Sequence, residues 1–307
     1  MKLLITGGAG FIGTNLIARL NELGGFKVTV LDNESLGRRA SIADYGVRFI
    51  AGDIRNIDDL RGAIRGQDTI VHLAADTRVM DSIENPQHNF ETNVVGTFQL
   101  LQVAREFGVE RIVNASTGGA IIGEAEPPVH EEMVARPLAP YGASKLAVEG
   151  YLSAFAGSYE MNTVSLRFSN VYGPFSYHKG SVVAHFMKCI MAGEPLVVYG
   201  DGSQVRDFLF SVDLADALAA IVATDARGVY QLGSGRPTTV NELIDLIRKV
   251  AAGVEFTVKY EDARPGEVHA TWCDVTQARR DLAYDPQTSL QDGLARTWRW
   301  FQANWRP

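Results

Sequence analysis

Tyr141 and Lys145 stand four residues apart in the run Tyr141-Gly142-Ala143-Ser144-Lys145, directly after Pro140. Proline suits the first position of a helix, and a spacing of four puts both side chains on one helical face. A free phenol, with a pKa of about 10, is a poor base near neutrality. A neighbouring ammonium favours the phenolate, so the pair predicts a tyrosine that can take a proton from a hydroxyl. Tyr-x-x-x-Lys also occurs on ordinary solvated helix faces, so other residues must supply the context.

That context begins at Thr6-Gly7-Gly8-Ala9-Gly10-Phe11-Ile12-Gly13, which follows an apolar run and opens a helical pattern. Gly7 permits a tight turn, Gly10 lets the backbone approach a pyrophosphate, and Gly13 lets the helix pack close to its strand. The free N–H groups at the helix start favour phosphate. Asp32 ends the second apolar run nineteen residues after Gly13, where a carboxylate can accept from a ribose 2′-hydroxyl and repel a 2′-phosphate. NAD is therefore expected over NADP, although Arg38 and Arg39 lie nearby.

These residues need a scaffold, and the chain alternates strand and helix patterns. Strand-like runs fall at 2–6, 28–32, 48–51, 69–73, 111–115 and 163–168, with helical patterns at 11–23, 56–65, 86–107 and 141–160. Such alternation predicts an α/β, Rossmann-like, doubly wound parallel sheet. After residue 169, Gly/Pro turns interrupt shorter elements, and a helix near 211–225 and a strand at 229–232 return to the first pattern. The expected division is a cofactor domain of 1–168 and 207–235 and a smaller C-terminal α/β substrate lobe of 169–206 and 236–307.

A formal net charge of −7 with no basic run argues against nucleic acid and anionic membranes as partners. Cys189 and Cys273 lack metal-ligand spacing, which predicts two packed thiols and no metal site. The apolar start of the chain breaks at Gly7-Gly8 before a secretory pattern can form, and no run reaches the ~18 apolar residues of a membrane helix. A cytoplasmic protein is expected.

TGGAGFIG, Asp32-Asn33, Gly52-Asp53-Ile54, His72-Leu73-Ala74-Ala75, the Tyr141–Lys145 run and Arg167-Phe168-Ser169-Asn170-Val171-Tyr172-Gly173-Pro174 occur in that order. With this set the chain resembles the NAD-dependent epimerase/dehydratase family of nucleotide-sugar enzymes over nearly its whole length, and most of all the UDP-glucose 4-epimerase branch. The resemblance implies that Gly7, Gly10, Phe11, Ile12, Gly13, Asp32 and Asn33 bind NAD, that Asp53 and Ile54 hold its adenine, that Ala74 and Asn93 line its groove, and that Phe168 lies beside the nicotinamide. It implies that Asn170 contacts the sugar nucleotide, that Val197 and Tyr199 form the base pocket, and that Arg206 and Arg264 clamp a pyrophosphate, a role suited to guanidinium groups. It also implies a homodimer through helices near 88–107 and 141–160.

The family places a Ser or Thr hydroxyl beside the tyrosine. Counting back from Gly123, that position falls on Gly118, so Thr117 is the expected hydroxyl and Ser116 the reserve. The family's 4,6-dehydratases carry Thr-Asp-Glu in this loop, whereas Gly118-Gly119-Ala120 has no carboxylate. The expected function is 4-epimerisation of a UDP-hexose through a transient 4-keto sugar. A 4,6-dehydratase, a 4-reductase or a non-catalytic NAD sensor is the alternative. Thr271, where the resemblance sets room at the sugar, would admit an N-acetyl group. Arg78 is a candidate for the sugar pocket; His178 and Lys179 are weighed as partners for a uronate carboxylate, with a solvated loop the expected reading. Glucose, N-acetylglucosamine and glucuronate all stay open.

Overall fold

The structure, a computed structural model, describes residues 1–263 and 268–304. Strands β1 (Lys2–Thr6), β2 (Lys27–Asp32), β3 (Arg48–Ala51), β4 (Thr69–His72), β5 (Arg111–Thr117) and β6 (Asn162–Phe168) alternate with helices. The chain continues through β7 (Asn170–Tyr172), β8 (Leu196–Tyr199), β9 (Val205–Phe210), β10 (Gly228–Leu232), β11 (Pro237–Thr239) and β12 (Val258–Glu261).

Seven strands form one parallel sheet in the order β10-β6-β5-β4-β1-β2-β3. This is the expected doubly wound Rossmann-like fold. A parallel sheet covered on both faces requires strands apolar on both sides, and Leu3, Leu4 and Ile5 of β1 are fully buried. On one face, Leu16, Ile17 and Leu20 of the helix Phe11–Leu23 pack with Leu214 and Leu218 of the helix Ser211–Ile221. On the other, Leu60, Leu100, Leu101, Val148 and Leu152 form a second core. Each such side chain contributes about 1.5–3 kcal/mol on burial.

The chain winds one way from β1 to β2 and the other way from β1 to β4, so the switch point lies between the carboxyl ends of β1 and β4. A crevice must open there. Thr6 pairs with His72 and Thr117 with Phe168, so these strand ends share that rim. The helix expected at 86–107 is interrupted by a π-helical turn, Glu91–Val95, between the helices Pro86–Phe90 and Gly96–Glu106. Such turns are rare and concentrate at functional sites.

The smaller lobe has a three-stranded sheet, β11-β9-β7, and a two-stranded one, β12-β8. Its own core includes Phe186, Met187, Phe208, Phe210, Leu243 and Phe301. β9 stays paired with β7 to Phe210, so residues 207–210 belong to this small sheet and the chain rejoins the large one only afterwards. The buried Asp207 holds this region together by accepting from the hydroxyls of Ser169 and Ser234 and the amides of Ser234, Gly235 and Cys273. Among the described residues, no helix is long and apolar enough to cross a membrane, and no cluster of potential metal ligands occurs. Both cysteines are buried thiols.

Candidate active site

A continuous cavity of about 1640 Å³ runs along the carboxyl rim of the large sheet. Gly7, Gly10, Phe11, Ile12 and Gly13 line one end, with Asp32, Asn33, Asp53, Ile54 and Ala74; Ser116, Thr117, Tyr141, Lys145, Phe168 and Asn170 line the middle.

The glycine loop fits a dinucleotide for reasons visible in its packing. Gly7 has φ +69°, and a Cβ there would lie 2.7 Å from the backbone N of Ala74. A Cβ on Gly13 would lie 2.5 Å from Cα of Gly8, so only glycine lets the helix Phe11–Leu23 start this close to the loop. At Gly10 the nearest atom is 3.2 Å away, as suits a residue facing the cavity. Asp32 Oδ2 accepts from the Ala9 amide at 2.9 Å and Oδ1 from the Glu34 amide at 2.8 Å, which locks the carboxylate to the loop. Burial raises the Asp32 pKa, and those two N–H groups pull against it. Asp53 is held by Arg55, at 3.0 and 2.8 Å, and by Asn33 at 2.9 Å. Hydrogen bonds from the Arg55 guanidinium take its carboxyl well below the usual range.

The helix Pro140–Tyr159 carries Tyr141 in its first turn, where the Ser82 hydroxyl accepts from the otherwise orphaned Tyr141 amide at 3.2 Å. Burial pushes the Tyr141 phenol up to about 12, the Thr117 hydroxyl pulls it down by hydrogen bonding, and the Asp76 carboxylate pushes it up. The expected phenolate is thus not favoured by the protein alone. The physical reason is burial of the phenol; Lys145 Nζ, itself buried, donates to the Ala115 carbonyl at 2.8 Å. Desolvation lowers Lys145 to about 8, with Glu149 raising it and Lys179 lowering it further.

Glu149 extends the stripe by one more turn and was not among the expected residues. It forms a buried, two-pronged ion pair with Arg167, at 3.0 and 2.7 Å, and its Oε1 also accepts from the Ser116 hydroxyl at 2.6 Å. A carboxylate eight residues after Tyr141 is the signal that could have revealed it, since 141, 145 and 149 share one face. The two hydroxyl candidates therefore separate: Ser116 is bound to the carboxylate behind the site, whereas Thr117 is the one acting on the phenol. Gly118 supplies no hydroxyl, and a side chain there would require the Gln231 amide to move aside.

Asn93 departs from expectation. It is 1% exposed and lies behind the cavity wall, where its amide bonds both the N–H and the carbonyl of Asp76 and the Ser144 hydroxyl, at 2.8–2.9 Å. Asn93 is thus a positioning residue that pins the loop after β4 to the helix of Tyr141. His72 braces the same region from within, between the hydroxyls of Thr6 and Thr97. Burial lowers its pKa to about 3 and keeps it neutral.

Val197 and Tyr199 on β8, Arg206 on β9 and Thr271 do not line this cavity, because they belong to the sheets of the lobe and their margins. Arg206 lies next to Thr271 in space: its guanidinium donates to the carbonyls of Val205 and His269, and the Thr271 amide donates to Val205. The Thr271 side chain packs against Gly119. Arg264 lies outside the described residues. Arg78 lines the cavity but is paired with Asp81 at 3.1 Å. His178 is exposed at the cavity mouth, whereas Lys179 turns inward instead of lying in a solvated loop.

The protein has many relatives with this architecture. A putative UDP-glucose 4-epimerase of Methanocaldococcus jannaschii is 35% identical over 307 residues, covering 98% of this chain and 99% of that protein. A UDP-glucose 4-epimerase of Thermotoga maritima, solved with UDP-glucose, superposes with a TM-score of 0.93 at 34% identity, covering 99% of each chain. A UDP-glucose 4-epimerase of Thermus thermophilus, solved with NAD, gives 0.92 at 35% identity, covering 99% of this chain and 100% of that one. The sequence pattern of the NAD dependent epimerase/dehydratase family matches residues 3–233, and with the glycine loop and the Tyr141/Lys145 pair set along one cavity, the chain belongs to that family.

Proposed function

We propose that the protein is a cytoplasmic, NAD-dependent 4-epimerase of a UDP-hexose. The observation that carries this reading is the meeting of Tyr141, Thr117 and Lys145 in the middle of one cavity whose far end is a dinucleotide cradle. In this reading Gly7, Gly10, Gly13 and Asp32 hold NAD, which supplies a hydride acceptor that is regenerated within the cycle. Asp32 favours the free ribose 2′-hydroxyl of NAD over the phosphate of NADP.

Tyr141 takes the proton of the sugar 4-hydroxyl as C4 is oxidised, and returns it to the keto oxygen after the sugar has presented its other face. Thr117 stabilises the phenolate form by its hydrogen bond. Lys145 adds positive charge from behind, and the buried Glu149 helps keep it protonated. Asn170 and the residues of the lobe hold the nucleotide sugar.

A dehydratase needs an additional acid and base to remove water across C5 and C6. Gly118-Gly119-Ala120 supplies neither, which favours epimerisation. Phe90, Ile83 and Tyr151, exposed on and beside the helices Pro86–Phe90 and Pro140–Tyr159, are the apolar surface through which two copies would pair. Replacing Tyr141 by Phe tests the catalytic scheme. Turnover should fall by a factor of about 10²–10⁴, the range for losing a general acid–base, with NAD still bound. Near-wild-type turnover would refute the scheme.

A further inference from the structure

We propose that Asp76 is a substrate-binding residue whose free carboxylate oxygen accepts a hydrogen bond from the 3-hydroxyl of the sugar. This rests on the epimerase reading above and deepens it, by naming the group that holds the sugar ring beside Tyr141.

Asp76 stands in the loop after β4, on the wall of the cavity. Two buried asparagines hold it from behind. Asn93, in the π-helical turn, bonds its N–H at 2.8 Å and its carbonyl at 2.9 Å. Asn89, fully buried, donates to the same carbonyl at 3.2 Å and to the carboxylate Oδ2 at 3.1 Å. The backbone and one carboxylate oxygen are thereby fixed before any ligand arrives, so little ordering remains to oppose binding.

The second oxygen is left for a ligand. Among the described residues Oδ1 accepts no hydrogen bond, and it is open to the cavity instead of sealed in the wall. The cations nearby are engaged elsewhere: Arg78 with Asp81 at 3.1 Å, Lys179 with the Thr77 hydroxyl at 3.4 Å, and Lys145 with the Ala115 carbonyl at 2.8 Å. Proton transfer does not explain the carboxylate either. Its charge adds to burial in raising the Tyr141 phenol, which works against the phenolate that takes the sugar proton. A half-buried carboxylate that opposes the neighbouring chemistry, yet is braced by two buried amides, calls for a donor on the ligand.

The sugar supplies one at the right place. In the epimerase reading Tyr141 meets the 4-hydroxyl. Of the two ring carbons beside C4, C5 bears no hydroxyl and C3 does, so an acceptor next to the phenol meets the 3-hydroxyl.

The experiment measures binding of UDP, UDP-glucose and the 3-deoxy analogue of UDP-glucose to the NAD-loaded protein by calorimetry, for the wild type, Asp76→Ala and Asp76→Asn. The wild type should bind UDP-glucose about ten- to a hundredfold tighter than the 3-deoxy analogue, the scale of one hydrogen bond to a charged acceptor. In Asp76→Ala the two sugars should bind alike. Asp76→Asn keeps the shape and loses the charge, and should leave a preference of only about two- to tenfold. Affinity for UDP alone and retention of NAD should hold throughout. A wild type indifferent to the 3-hydroxyl overturns the proposal, and so does a preference that survives in Asp76→Ala. Loss of NAD from both variants, with the fold intact by circular dichroism, also overturns it, by assigning the carboxylate to the cofactor. Turnover of UDP-glucose, followed separately by proton NMR, keeps the two readings apart. A 3-hydroxyl preference that depends on Asp76, with no epimer formed, would sink the epimerase and leave the hydroxyl subsite standing. Epimerisation with no such preference would do the reverse.

Discussion

The two ends of the cavity are built differently. At the cofactor end, backbone meets backbone: Gly7 against Ala74, Gly13 against Gly8, and the amides of Ala9 and Glu34 on Asp32. At the other end, a long side chain reaches in from a separate loop, as Lys179 does toward Thr77. Tyr141 and Lys145 stand where the two ends meet, on a helix tied to both. One end binds what the whole family shares, through atoms every residue has. The other presents side chains, which differ from residue to residue.

The largest effect that would sharpen this contrast comes from Gly7→Val. At φ +69° a β-branched residue is strained, and its Cβ would collide with Ala74. The variant should lose NAD entirely and melt several degrees lower, read by absorbance of the purified protein and by calorimetry. A variant that keeps NAD would show that the loop tolerates side chains and that the contrast is overstated.

Glu149→Gln tests the junction. Removing one partner of a buried pair leaves Arg167 uncompensated, at a typical cost of about 3–5 kcal/mol. It also removes the group that raises Lys145. Lys145 loses its proton as pH rises through about 8, so wild-type turnover should fall above that pH, and in Glu149→Gln the falling limb should move to lower pH. The sign for stability is opposite. The folded pKa lies below the ordinary lysine value of 10.5, so the burial cost of the ammonium is present below about pH 8 and relieved as pH rises toward 10.5. An unshifted rate profile would remove Glu149 from the mechanism and leave it a structural ion pair.

The smallest effects separate neighbouring hydroxyls. Thr117→Val should cut turnover about ten- to a hundredfold, the scale of one hydrogen bond to a charged group. Ser116→Ala should instead cost about 1.5–3 kcal/mol of stability, measured by urea denaturation, since its partner is the buried Glu149 carboxylate. The reverse pattern of rate and stability would exchange the two roles.

Much of the cofactor end was legible in the sequence because glycine spacing, strand periodicity and helix starts are local. β1 and the helix Phe11–Leu23 fall where the pattern puts them, and β4 and β5 differ only by the residues at their ends. The interrupted helix was not legible: residues 86–107 keep a helical pattern throughout, and a π-turn leaves no mark in periodicity. It is the tertiary bonds of Asn93 to Asp76 and Ser144 that make use of it. At the other end, Lys179 looks like any loop lysine until Ser176 and Lys188 are seen to fix its backbone and turn it inward. Thr117 and Ser116 are adjacent and chemically alike, and only the position of Glu149 across the strand separates them. Side-chain direction in loops depends on partners far away in sequence, which no local pattern records.

The most direct measurement is proton NMR of UDP-glucose and UDP-glucuronate incubated separately with the purified protein and no added NAD. Growth of a 4-epimer from at least one of them, with no net oxidised or dehydrated product, is the predicted result. Accumulation of a 4-keto-6-deoxy sugar, or no change even after NAD is supplied, would contradict 4-epimerisation through Tyr141.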